Sequence, residues 1–444
     1  MIEIFDMIDY DSNKRLCALA WTHLHVTTTG EVAPCGQYNL SSTNTYPLLR
    51  IQDHTLEECI NSIGLKHIRS TMLNNEPNDM CSRCEYKMQN NIESTKDRSN
   101  QLFLEQTKSA IEKTNADGSI NIADFKPVFM DIRFGNLCNL KCRMCNLNAS
   151  SSWFSETIKI TELQKTSDTK FAQVEADQNS LKFIANGAYE KIEHLLDYVE
   201  RMYFAGGEPL IMEDHYKALN YLIKTGRAKD VELHYSTNYT VFKYKNKLLA
   251  DYWRHFKLVI VAGSADGIEE VSDYIRTGSS WDKIKQVASE LKPAGDEYRN
   301  IILSPCFSVS IMNIFHAPRF IKWCFDNNWF EPNIKIMAIN YVDYPPDLSI
   351  KILPKFAKDL VVSQFSELTQ WLIQHGHPDS AVTVNEIITY MTAAMPSDDD
   401  IHFNMMQAKT RLDTYDISGD LNWKIALPEL AEVMNRYFES GYSR

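Results

Sequence analysis

Between residues 128 and 345 the chain alternates short apolar runs with helical stretches, and this alternation limits the fold more than any other feature. The candidate strands are VFMDIRF (128–134), RMYFAG (201–206), VELHYSTN (231–238), KLVIVAGS (257–264), NIILSPCFSVS (300–310) and IKIMAIN (334–340). Helical patterns such as HYKALNYLIKTG (215–226) and SWDKIKQVASELK (280–292) fall between most of them. A βα unit repeated six times predicts a parallel sheet with helices outside it. Six units are too few for a closed eight-stranded barrel. The expected fold is therefore α/β, with a partial (β/α)6 TIM-like barrel.

Around that core, four regions are expected. Residues 1–100 form an N-terminal cysteine-rich domain of hairpin plus helix. WTHLHVTTTGEVAPC (21–35) reads as the hairpin, because β-branched alternation runs into a Thr-Gly turn. TLEECINSIGLKHIRSTML (55–73) reads as one amphipathic helix. Residues 101–127 are a helical linker, part of a polar stretch in which LFLEQTKSAIEKT is stopped by Asn-Ala-Asp-Gly. Residues 128–345 are the barrel, and its polar segment 146–200 carries one or more extra helices. Residues 346–444 are a C-terminal helical region, clearest at 353–376 and 426–441. The acidic tract PSDDD (396–400) reads as a solvated loop.

Composition removes several functions. The chain has 444 residues and a net charge of −12. An acidic surface argues against a nucleic-acid or anionic-membrane partner. No apolar run approaches the roughly 18 residues of a membrane span. The opening MIEIFDMIDYDSNKRL is acidic and mixed and does not read as a secretory signal. A cytoplasmic location is expected. There thiols stay reduced, so the clusters among the ten cysteines hold metal rather than disulfides.

The tightest group is Cys138-Asn-Leu-Lys-Cys142-Arg-Met-Cys145, directly after the first barrel strand. Loops at that end of a βα barrel form its catalytic face. Three thiolates there can hold three irons of a [4Fe–4S] cluster and leave one iron open, since such clusters normally take four cysteines; a zinc site or chance clustering is the alternative. A structural zinc site prefers four ligands in paired C-x2-C spacing, which this triplet lacks.

This C-x3-C-x2-C loop resembles that of the radical S-adenosylmethionine (SAM) superfamily. The resemblance implies that the amino and carboxylate groups of SAM chelate the open iron. Reductive cleavage then gives a 5′-deoxyadenosyl radical that abstracts hydrogen from substrate. Members commonly carry an aromatic residue before the third cysteine, where this chain has Met144. Gly206-Gly207-Glu208-Pro209 matches the family's GGEP motif and is expected to meet the SAM amino group. Ser236 and Asn238, at the end of the third strand, resemble its ribose- or methionine-binding strand end. Ser264 and Asp266, in Ser-Ala-Asp-Gly, resemble S-x-D-G after the fourth. Arg276 is expected to meet the SAM carboxylate. Helix capping or a surface ion pair is the alternative for Ser264, Asp266 and Arg276.

The N-terminal cysteines follow a second pattern. Cys17-x12-Gly30-x4-Cys35, a helix and then Cys81-Ser-Arg-Cys84 resemble the twitch and SPASM domains, which bind auxiliary clusters. The resemblance implies a second [4Fe–4S] cluster on Cys17, Cys35, Cys81 and Cys84. Here the domain precedes the barrel, and the absence of further cysteines near 84 favours the one-cluster twitch form. Zinc is the alternative metal for these four.

The remaining chemistry-bearing residues read as structural. Cys59, Cys306 and Cys324 are expected in the core, with Cys306 facing the site from its strand as the alternative. His23 and His25 share one face of a strand and are expected at an exposed strand edge, with a metal role as the alternative. Trp153 packs over the cysteine loop or staples a helix start. Asn313 is a turn residue or a polar group facing the site.

The function implied is radical SAM oxidation of a substrate, with the auxiliary cluster assisting the oxidation or serving structurally; the substrate is a peptide or protein first and a small molecule such as a sugar, cyclitol or nucleotide second. Reduced flavodoxin or ferredoxin is the implied electron donor. A non-catalytic iron–sulfur or zinc sensor needs no GGEP and no polar strand ends, and both are present here.

Overall fold

All six expected barrel strands are present in the computed structural model, which describes residues 13–89, 93–165, 187–329, 338–393, 396–419 and 421–439. The first part of the sixth candidate, 334–337, lies outside the described residues. Two compact units divide the chain. One comprises Met1–Leu137, Phe183–Tyr235 and Asp251–Val259; the other comprises Cys138–Lys182, Ser236–Ala250 and Ile260–Arg444.

In the first unit, β1 (His23–Val26) and β2 (Val32–Ala33) form the expected antiparallel hairpin. Gly30 turns it at φ +90°, a conformation that suits glycine. β1 also pairs in parallel with β3 (Phe129–Ile132), which pairs with β4 (Arg201–Phe204) and on to β5 (Glu232–Thr237). The hairpin thus continues the sheet of β3, β4 and β5.

Strand alternation gives this sheet two unlike faces. One carries Leu24, Met130, Ile132, Met202, Phe204, Leu233 and Tyr235, all buried. Helix Glu213–Lys224 covers it, with His215 edge-on to Phe204 at 4.7 Å. Each such side chain contributes about 1.5–3 kcal/mol by leaving water. The other face is polar. The register sets His25, Asp131, Tyr203 and His234 side by side across four strands.

His23 and His25 are therefore not at an exposed edge. β1 lies between β2 and β3, and both rings are buried. His25 Nδ1 stands 2.8 Å from Asp131 Oδ2. Burial alone would raise the Asp131 pKa, but His25 and Arg133 hold it below the ordinary value. Burial lowers His23 to about 4, so it is neutral at pH 7.

The second unit holds the small hairpin β6 (Lys243–Tyr244) and β7 (Lys247–Leu248), most of β8 (Leu258–Ser264), and β9 (Ile301–Val309) beside β10 (Ala338–Tyr341). The C-terminal region is helical as expected, including Lys355–Gln374, Pro378–Thr392, Asp398–Gly419 and Pro428–Glu439. No helix of the described residues is long and apolar enough to cross a membrane.

Local expectations differ at two places. Residues 55–73 form two helices, Leu56–Ile60 and Ile63–Leu73. Thr55 and Glu58 make a capping box for the first, and the chain breaks at Asn61 and Ser62. The tract PSDDD does not stay a loop, because helix Asp398–Gly419 starts within it. Ser397 Oγ accepts from the Asp400 amide at 3.1 Å, and three aspartates occupy the first turn, where the helix dipole favours negative charge.

Candidate functional site

Main-chain contacts fix the residue that leads into the loop after β3. Within the first unit, Gly206 adopts φ +111°. A Cβ on Gly207 would come within 2.1 Å of the Leu137 carbonyl oxygen. The Glu208 amide donates to that same oxygen at 2.7 Å. Leu137 immediately precedes Cys138 in the chain. Gly207→Ala is therefore expected to destabilise the protein by about 1–3 kcal/mol or more, because main chain cannot yield as a side chain can. Denaturant unfolding of the metal-free chain checks this, and an unchanged midpoint would show that the approach relaxes. Glu208 is fully buried, and its Oε1 caps the short turn Pro209–Ile211 by accepting from the Leu210 amide at 3.0 Å.

In the second unit, the cysteine loop is tied along 275–277. The Lys141 amide donates to Thr277 O at 2.7 Å and the Arg143 amide to Ile275 O at 2.9 Å. Three serines hold its flanks. Ser150 Oγ donates to Leu140 O, Ser152 Oγ donates to Cys138 O, each at 2.6 Å, and Ser151 Oγ accepts from the Cys138 amide at 3.3 Å. Sequence reading missed these serines; their only trace was the run NASSSWF.

Polar donors then meet the sulfurs. Asn238 Nδ2 lies 3.8 Å from Cys138 Sγ and donates to Asn139 Oδ1 at 2.8 Å. Arg276 Nη1 lies 3.6 Å from Cys142 Sγ. Its Nε stands 2.6 Å from Asp266 Oδ2, and Asp266 is fully buried. This is not the surface pair considered from sequence. Asp266 Oδ1 accepts from the Ser308 amide at 2.8 Å. Burial alone would lower the Arg276 pKa, yet Asp266 and Cys142 raise it, so it stays charged. Burial raises the Cys142 thiol, and burial with the charges of Cys142 and Cys138 pushes Cys145 up to about 12.

The other expected residues are placed as follows. Ser236 lies near the end of β5, Ser264 ends β8, and Met144 is half-buried. Asn313 is buried in the turn after β9 and donates to Asp266 O at 3.0 Å. Cys59, Cys306 and Cys324 are buried. Trp153 packs in the core beside Tyr415, with ring centres 5.0 Å apart.

The N-terminal four belong to the first unit. Burial raises the Cys17 thiol well above its ordinary value, and the charges of Cys35, Cys81 and Cys84 add to it. Burial likewise pushes Cys35 up to about 11 and Cys81 up to about 12. Among the described residues, no three His, Cys, Asp or Glu side chains form the ligand set of a single metal ion.

Residues 132–305 match the model of the Radical SAM superfamily, and residues 17–85 match that of SPASM, an iron–sulfur cluster-binding domain. The SPASM match precedes the radical SAM match, as expected from sequence. No curated protein matches the chain. Solved structures similar to it include anSMEcpe with bound AdoMet, at 15% identity and TM-score 0.38, covering 57% of this chain. The chain spans 63% of that protein's length. Another is SuiB of Streptococcus suis bound to precursor peptide SuiA, at 11% identity and TM-score 0.35, covering 71% of this chain and 63% of SuiB.

Proposed function

We propose that this chain is a radical SAM enzyme that removes hydrogen from a peptide or protein substrate, with a one-cluster, twitch-type auxiliary domain at its N-terminus. The observation that carries the reading is the cysteine loop, with donors on two of its three sulfurs, inside the stretch that matches the superfamily.

The donor set fits the group. Cys138, Cys142 and Cys145 would hold three irons, and a buried, permanently charged guanidinium favours the thiolate form of Cys142. Cys17, Cys35, Cys81 and Cys84 would hold a second cluster with no open iron. Bound there, the barrel cluster with SAM would supply one-electron chemistry. This chain's own part is to position and shield. Asn238 donates towards the Cys138 sulfur, Arg276 offsets negative charge at Cys142, and Asp266 aims the guanidinium. Glu208, Ser236 and Ser264 sit at or just after strand ends, the positions expected to meet SAM. Reduced flavodoxin or ferredoxin would deliver the electron.

Anaerobic reconstitution with iron and sulfide tests this. About eight irons per chain are expected, and SAM with dithionite should yield 5′-deoxyadenosine. Absence of both iron and cleavage would defeat the reading. Replacing Cys81 and Cys84 together is expected to lower iron by about half while sparing the barrel cluster. An unchanged count, or zinc at those four cysteines, would remove the auxiliary cluster.

A further inference from the structure

Arg143 lies between Cys142 and Cys145, yet its side chain is fully buried away from water. Such a charge is costly unless paired. Its Nη1 donates to Glu156 Oε1 at 3.1 Å. Its Nε and Nη2 have no hydrogen-bond partner among the described residues. The guanidinium carbon instead faces three rings, Tyr415 at 5.1 Å, Tyr274 at 5.2 Å and Trp153 at 5.8 Å. A flat, delocalised cation suits this box.

The box is closed by helix Asp398–Gly419 of the C-terminal region. Ser418 Oγ donates to the same Glu156 oxygen at 2.9 Å. A Cβ on Gly419 would come within 3.3 Å of both Arg143 Nη2 and Glu156 Oε1, so the helix end sits tightly on the pair. That end carries partial negative charge facing a cation. Asp416 accepts from Tyr274 OH at 3.1 Å, gripping the helix that leads into Arg276. The far side is anchored by a buried two-bond pair, Arg411 to Asp347 at 2.6 and 2.9 Å, and Arg411 also donates to Tyr415 OH at 3.2 Å.

We infer that Arg143 is a positioning residue through which helix Asp398–Gly419 sets the seat of Cys142 and Cys145. The C-terminal region is then part of the cluster-binding apparatus rather than a cover. This rests on the reading of those cysteines as cluster ligands.

Tyr415→Leu and Ser418→Ala test it in the full chain. Both are expected to keep the iron of the N-terminal cysteines. Both should shift the electron paramagnetic resonance signal of the reduced barrel cluster and slow substrate-free SAM cleavage by about 2- to 30-fold. Ile417→Ala, on the exposed side of the same helix, should change neither. In a cycle with Arg143→Met, the Tyr415→Leu loss should largely vanish, since Tyr415 acts through Arg143. In the metal-free chain, the Arg143 and Cys145 amides should exchange hydrogen faster in Tyr415→Leu than in Ile417→Ala. Unchanged exchange, spectrum and cleavage in a folded Tyr415→Leu would overturn the inference, as would losses that multiply in the cycle. A wild-type chain that loads no barrel iron defeats the proposed function instead, and the exchange measurement still decides whether the helix holds the loop.

Discussion

Replacing Cys142 by Ala is expected to abolish SAM cleavage and to remove about half of the reconstituted iron, while the N-terminal share stays. Cys142 is the most enclosed thiol of the triplet, and it is the one that Arg276 meets. Without its sulfur, Arg276 would face a gap, and only two cysteines would remain on the loop. The substitution is small, so the apoprotein should fold, which circular dichroism checks. Iron per chain and 5′-deoxyadenosine are the readouts. Cleavage near the wild-type rate would refute the ligand assignment for this loop.

Arg276→Met is expected to cost about 3–5 kcal/mol, because it strands a buried carboxylate. Asp266 has no exposed surface, and in the native chain the guanidinium stands 2.6 Å from it. Adding Asp266→Asn should recover part of the loss, since no uncompensated charge remains. Denaturant melts of the metal-free chain measure it. A loss under about 1 kcal/mol, the level of an exposed pair, would mean that water reaches the site.

Much of this was legible in sequence for a physical reason: short-range patterning. Each barrel strand is a short apolar run closed by polar or glycine residues, so all six could be read before their partners were known. The cysteine spacing could be read because the three residues lie within one loop. What could not be read was set by partners far along the chain. The box around Arg143 depends on Ser418, which is 262 residues from the Glu156 it bonds. The same limit hid the Asp131 partner of His25. With it hidden, two polar residues on a strand looked like an exposed edge. Local competition explains the other misses. At Ser397 and Asp400 a capping pair outweighed the charge run, and at Asn61 and Ser62 a break interrupted a helical period that continued on either side.

The parallel pairing of β1 with β3 has a consequence for how the chain is made. Residues 23–26 leave the ribosome about a hundred positions before 129–132, the strand they must lie beside. Until then β1 has only the two-residue β2 to pair with, and a lone hairpin is marginal in water. The N-terminal cysteines are thus translated early, while the sheet that carries their hairpin forms only after β3 has emerged. Closing so long a loop is slow compared with local pairing, which leaves those thiols open to solvent and stray metal during synthesis.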